Sequence, residues 1–276
     1  MFILRRLEIG IYSSPGPNAC AAYEGTDGYE EQDAKTWAAW GIDSLKCDRC
    51  PACNLYTDEE MQAVYRKMGD ALRAAGRPIS YSACANTGAP NCGNGARPSG
   101  GNLWPTTGDI HDTCASMTNI GFRQDELAPW AEIGHFNDPA MLEIGNGGMN
   151  GDEHRTHMSL MSLWSPVAAL VLAGNDLRDV PPDILAILTN REAIAVDRDK
   201  TGKQGGRAWQ SGEQEIWARE LAAGGRAVAI SNRAAGPVNV NRAALEMAPP
   251  ARVGELWTHR NERAGINEYG PGSIRR

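Results

Sequence analysis

Asp48 follows Lys46 at the end of an apolar run, residues 42–48 (IDSLKCD). If that run is a strand, side chains two apart share a face, so a cation sits beside a carboxylate and favours its charged form. A nucleophile needs that state; an ion pair closing a sheet layer would look the same. Asp109, in Trp104-Pro105-Thr106-Thr107-Gly108-Asp109-Ile110, reads either as a reacting carboxylate or as the N-cap of the next helix. Two carboxylates on strand ends of one face would be the minimal machinery of glycoside hydrolysis. Cys47, Cys50 and Cys53 form C-x-x-C-x-x-C, a spacing for zinc or part of an iron–sulfur cluster, but with no second C-x-x-C in the chain. His154 and His157 are three apart on an expected helix without an acidic partner at metal spacing, so a plain helix surface is the simpler reading. Residues 145–151 (GNGGMNG) place Asn150 where G-x-G-x-x-G needs glycine, and read as a loop. Most of the tryptophans suit core packing, whereas Trp104, near Asp109, could be a sugar-stacking platform.

The elements that must position these residues alternate strand and helix. Strands are expected over 7–13 (LEIGIYS), 42–48 and 78–82 (PISYS), a repeat of about 35 residues, with a helix over 27–40 closed by Gly41. The clearest helix starts at the capping box Thr57/Glu60, carries Met61, Val64, Tyr65, Met68 and Leu72 at helical spacing, and stops at Gly76. Further strands are expected near 106–109, near 133–137 and over 168–174, with helices over 152–164 and 182–189. Tyr12, Ser13, Lys46, Asp48, Ser82 and Cys84 all fall at strand ends, which a parallel (β/α) barrel gathers on one face. Beyond Asp197 the texture turns to period-2 runs: 207–210 and 215–220 about Ser211-Gly212, then 226–231 and 238–241. The expected domains are therefore 1–197, a (β/α) barrel, and 198–276, a small antiparallel β domain. Six strands in 197 residues fall short of the eight of a closed barrel, so either the sheet is open or two βα units precede this sequence.

Composition sets the outer bounds. The 276 residues are 42% hydrophobic with net charge −7 and no basic cluster, so a packed core is available and a nucleic-acid partner is not expected. Apolar stretches are far too short for a spanning helix, and residues 1–6 are too short for a signal peptide, so no membrane association is expected. Seven cysteines leave at least one thiol unpaired within the chain.

Six motifs in order, Gly10-Ile11-Tyr12, Leu45-Lys46-Cys47-Asp48-Arg49-Cys50, Tyr81-Ser82-Ala83-Cys84, Thr107-Gly108-Asp109-Ile110, Phe136-Asn137-Asp138-Pro139-Ala140-Met141-Leu142 and Ala173-Gly174-Asn175-Asp176-Leu177-Arg178, resemble the α-galactosidases of glycoside hydrolase family 27 from about residue 8 to 262. The resemblance implies a (β/α)8 TIM barrel, N-terminally incomplete here, followed by an antiparallel β-sandwich. It also implies retaining cleavage of terminal α-D-galactosides, on oligosaccharides or glycoconjugates, without metal or cofactor. By it Asp48 is the nucleophile and Asp109 the acid/base, and Tyr12, Lys46, Cys20, Cys50, Cys84, Trp104, Asp138 and Met141 are substrate contacts. Cys20 and Cys50 match a family disulfide at the pocket rim, which points to a secreted or periplasmic location.

The sequence also departs from that family. Pro105 stands where the family has a sugar-binding Arg, Ala140 where it has Asp, Cys47 where it has an aromatic, and Cys114 and Phe136 where it has Trp. Ala85-Asn86-Thr87 replaces Glu-Trp in the loop that recognises the sugar 2-position, and small residues there resemble the α-N-acetylgalactosaminidase branch. Alternatives are thus that activity, a catalytically weak relative, or a metal protein built on the cysteine cluster.

Overall fold

The computed structural model describes residues 7–50, 52–84, 96–148, 153–169, 171–234, 245 and 253–262. They form two compact units, one of residues 1–109 with 130–140 and the other of 110–129 with 141–276.

The first unit is built on a parallel sheet of five strands: β1 (Gly10–Ser13), β2 (Ser44–Cys47), β3 (Ser80–Ala83), β4 (Leu103–Pro105) and β5 (Phe136–Asp138), paired in that order. Between the first three lie helices α1 (Glu30–Trp40) and α2 (Asp58–Ala74). The sheet's outer face is apolar: Leu45, Cys47, Tyr81 and Ala83 are buried in one core with Trp37 of α1 and Met61, Tyr65, Met68 and Leu72 of α2. The α2 capping box is formed, with Thr57 Oγ1 accepting from Glu60 N–H and the Glu60 carboxylate from Thr57 N–H. Gly41 and Gly76 close the two helices at φ +79° and +80°, where a Cβ would be strained. A cross-helix ion pair, Lys67 to the buried Glu30 at 2.7 Å, ties α2 to the start of α1.

The second unit carries helices α3 (Cys114–Gly121), α4 (Glu153–Trp164), α5 (Pro182–Leu188) and α6 (Arg191–Asp197). It also carries an antiparallel sheet of β6 (Gly206–Ser211), β7 (Gln214–Glu220) and β8 (Arg226–Asn232), and a hairpin of β9 (Val253–Glu255) and β10 (Arg260–Glu262). The expected turn between β6 and β7 is present, with Gly212 at φ +57°. The buried Arg219 of β7 donates from Nη1 to the carbonyls of Ser165, Val196 and Asp197, at 3.1, 2.6 and 3.0 Å, so one guanidinium caps the ends of α4 and α6.

Several expectations need correction. The strand expected near 106–109 lies earlier, at β4, and Thr106 just beyond it is buried with its N–H and hydroxyl both donating to Asp138 O. Residues 168–174 form no strand among the described residues. Ala168 sits at φ +53° and only a single parallel bridge, Leu142 to Ala173, survives. The helix for which Asp109 was one candidate cap is α3, capped instead by Thr113, and α6, capped by Asn190, was not expected. The expected strand over 238–241 lies outside the described residues, as do residues 149–151 of the glycine-rich loop and the side chains of His154 and His157.

Candidate active site

The register of the parallel sheet puts chemistry on its inner face. Tyr12 pairs with Lys46 and Lys46 with Ser82, making one row across β1, β2 and β3, opposite in pleat to the buried Leu45 and Tyr81. Asp48, just past β2, extends the ladder by donating its N–H to Ser13 O at 2.8 Å. Its carboxylate is held twice: Oδ1 accepts from Arg49 N–H at 2.8 Å, and Oδ2 from the Tyr12 hydroxyl at 3.0 Å. Arg49 is in turn anchored at the start of α2 by an ion pair with Asp58 at 3.6 Å. Burial first, and then the bond to and charge of Asp48, push the Tyr12 phenol well above its ordinary pKa, so it stays a donor throughout the working range.

The Tyr12 hydroxyl also lies 2.8 Å from Cys20 Sγ, and Cys20 is joined to Cys50 in a disulfide with a Cα separation of 5.1 Å. A carboxylate oxygen of Asp48 and the two sulfurs lie within 4.8 Å of one another. Sulfurs bonded to each other are not thiolate ligands, so this trio is no metal set. The C-x-x-C-x-x-C reading is corrected for the same reason: Cys50 is in the disulfide, and Cys47 is buried in the core, where burial drives its thiol far up. The Cys53 side chain lies outside the described residues.

Cys84 follows β3 and donates its N–H to Cys47 O at 3.2 Å. Its thiol is pushed up to about 11, first by burial and then by the charge of Asp48, with Lys46 acting in the opposite direction. Asp138 ends β5, is 6% exposed and accepts from Ala140 N–H at 2.9 Å. Burial raises its pKa most, Asp109 raises it further, and Lys46 and the Ala140 N–H lower it. Lys46 thus acts on both sides of the site, and Asp109 lies within electrostatic reach of Asp138.

Asp109 is exposed, four residues beyond β4, and does not cap a helix: Thr113 caps α3, its Oγ1 accepting from Ser116 N–H at 3.1 Å. That frees its carboxylate for chemistry. Trp104 is corrected. It is 1% exposed and donates from Nε1 to Asn137 Oδ1 at 2.8 Å, so its ring offers no face to a sugar. Met141 belongs to the second unit, where it is exposed. Ala85-Asn86-Thr87 lies outside the described residues. One participant was not foreseen, and one strand-end residue proves more buried than its place suggested. The Arg49 backbone carries no side-chain signal for its role, and Ser82, seen only as a polar strand end, has a buried Oγ without a hydrogen-bond partner among the described residues.

The parallel β/α sheet gathers carboxylates, a lysine and a phenol at its C-terminal strand ends, the face on which barrels of this class carry their active sites. Comparison with known proteins agrees. Residues 2–199 match the melibiase family described as alpha galactosidase A, and residues 211–273 match the alpha galactosidase C-terminal beta sandwich domain. The chain belongs to this family of glycoside hydrolases, with its fold of a TIM barrel followed by an antiparallel β-sandwich.

Among relatives, a protein named probable alpha-galactosidase from Dictyostelium discoideum is 39% identical over 97% of this chain and 69% of its own length. Alpha-galactosidase 2 of Arabidopsis thaliana is 39% identical over 92% of this chain and 63% of its own. The crystal structure of alpha-galactosidase I from Mortierella vinacea superposes with a TM-score of 0.85 at 29% identity, covering 96% of this chain and 73% of that one. The chain therefore spans roughly two thirds of the length of these relatives. No described helix is long and apolar enough to cross a membrane.

Proposed function

We propose that this chain is a retaining α-galactosidase in which Asp48 is the nucleophile and Asp109 the acid/base. The observation that carries the reading is the double tether of Asp48, by Tyr12 and Arg49, at the carboxyl end of a parallel strand. A carboxylate so fixed has one face left to attack.

In the first step Asp48 bonds to the anomeric carbon as the bond to the leaving oxygen breaks, and Asp109 gives that oxygen its proton. In the second, Asp109 takes a proton from water, the water oxygen bonds to the same carbon, and Asp48 is released. Lys46 balances the charge of the carboxylates around it, and Asp138, Cys84 and the disulfide line the sugar. The reading expects the Asp48 and Asp109 carboxyl groups about 5 to 5.5 Å apart, the separation of a retaining pair. Residues 1–197 supply this barrel chemistry and 198–276 the β domain. No metal or cofactor enters the reaction, and the Cys20–Cys50 bridge favours a secreted or periplasmic setting.

Pro105, at the end of β4, can offer a sugar no guanidinium, so the expected turnover is slow. The test is hydrolysis of an aryl α-galactoside beside the corresponding N-acetylgalactosaminide. Slow turnover of the galactoside, lost in Asp48→Asn, is expected. Preference for the N-acetyl sugar would move the assignment to the α-N-acetylgalactosaminidase branch, and turnover that survives the substitution would remove Asp48 as nucleophile.

A further inference from the structure

The loop 14–27 that follows β1 is folded as a miniature hairpin. Thr26 N–H donates to Ser14 O at 2.9 Å, Gly25 to Pro17 at 2.8 Å and Ala19 to Tyr23 at 2.7 Å, with Asn18 bridged to Glu24. Gly25 is required, because a Cβ there would overlap the Gly16 carbonyl. At the tip Ala22 holds φ +65°, a conformation an alanine adopts only when its surroundings impose it. The tip is then riveted by Cys20 to Cys50, whose sulfurs adjoin Asp48.

Tyr23 stands on this tip, 73% exposed. An exposed tyrosine is ordinary on a mobile loop; one presented by a cross-linked and hydrogen-bonded tip is pre-organised, which lowers the ordering cost of binding. Three peptide units separate it from Cys20, so their Cα atoms are at most about 11 Å apart. The tip that carries it therefore stays close to the disulfide that adjoins Asp48. The flat face of the ring suits the C–H face of a pyranose while its hydroxyl stays in water.

We propose that Tyr23 is the stacking platform for the aglycone sugars of an α-galactosyl oligosaccharide, a specificity-determining residue outside the galactose pocket. The proposal rests on the galactosidase reading above and concerns how that site holds the sugars of its leaving group.

The experiment compares kcat/KM on an α-galactosyl trisaccharide with that on α-galactosyl fluoride, for the native chain, Tyr23→Ala, Tyr23→Phe and Trp40→Ala. Trp40, 63% exposed at the far end of α1, is the control for loss of a surface aromatic. In Tyr23→Ala the trisaccharide-to-fluoride ratio should fall about 3- to 10-fold, the usual worth of an aromatic contact, while Tyr23→Phe and Trp40→Ala leave it unchanged. A parallel calorimetric titration with Asp48→Asn should show the trisaccharide binding more tightly than galactose, and the difference vanishing when Tyr23→Ala is added. An unchanged ratio with an intact affinity difference overturns the platform and leaves the galactosidase reading standing. Failure of native and variant chains to bind galactose or to turn over the fluoride overturns both.

Discussion

Asp48 owes its geometry to a phenol and a peptide N–H. Hydrogen bonds to a charged acceptor are worth about 1.5 to 3 kcal/mol, so Tyr12→Phe should cost about 10- to 100-fold in kcat/KM. The half-exposed ring itself remains, so the melting temperature should scarcely change. Steady-state kinetics beside a thermal melt check this; an unchanged kcat/KM would show that the Arg49 N–H alone orients the nucleophile. At this scale the sequence was informative where chemistry follows the pleat. Tyr12, Lys46, Asp48 and Cys84 could be placed at strand ends because alternation fixes which side chains share a face. It was misleading at Trp104, since nothing local distinguishes a buried indole bonded to Asn137 from an open platform.

Among the elements, the junction of α4, α6 and β7 carries a pH-dependent stress. Burial raises the Asp197 carboxyl from its ordinary 3.8 to about 7, although Arg219 and Arg198 act to lower it, and its Oδ1 has no hydrogen-bond partner among the described residues. The folded state thus keeps a proton that the unfolded chain gives up above about pH 4. The stability this provides is complete below that pH and is lost as the pH rises through 7. Asp197→Asn should remove the dependence, raising the melting temperature at pH 8 by about 5 °C and hardly at all at pH 4. Equal shifts at both values would contradict it.

The elements also show why boundaries were harder to read than existence. The capping box made α2 legible to the residue, whereas α3 starts from Thr113 rather than from the Asp109 cap the sequence offered, and α6 follows α5 after only two residues, too soon to stand out as a separate helix. Residues 168–174 were apolar enough for a strand, but the left-handed Ala168 turns the chain out of one.

At the level of the whole molecule, the class of fold could be read from the recurrence of βα units near every 35 residues, and the change to period-2 texture marked the β-rich segment. What could not be read is the division into compact units, one of residues 1–109 with 130–140 and the other of 110–129 with 141–276, because non-local packing leaves no periodic trace in sequence. The central claim concerns one bond, between Asp48 and a sugar. An activated 2-fluoro-α-galactoside should form this ester and release it slowly, since an electron-withdrawing substituent destabilises the oxocarbenium-like transition state of both steps. Peptide mapping by mass spectrometry after such treatment should find one glycosyl unit on the peptide that contains Asp48, and none in Asp48→Asn. A label on another residue, or an activated donor that is turned over without any adduct, would contradict the account.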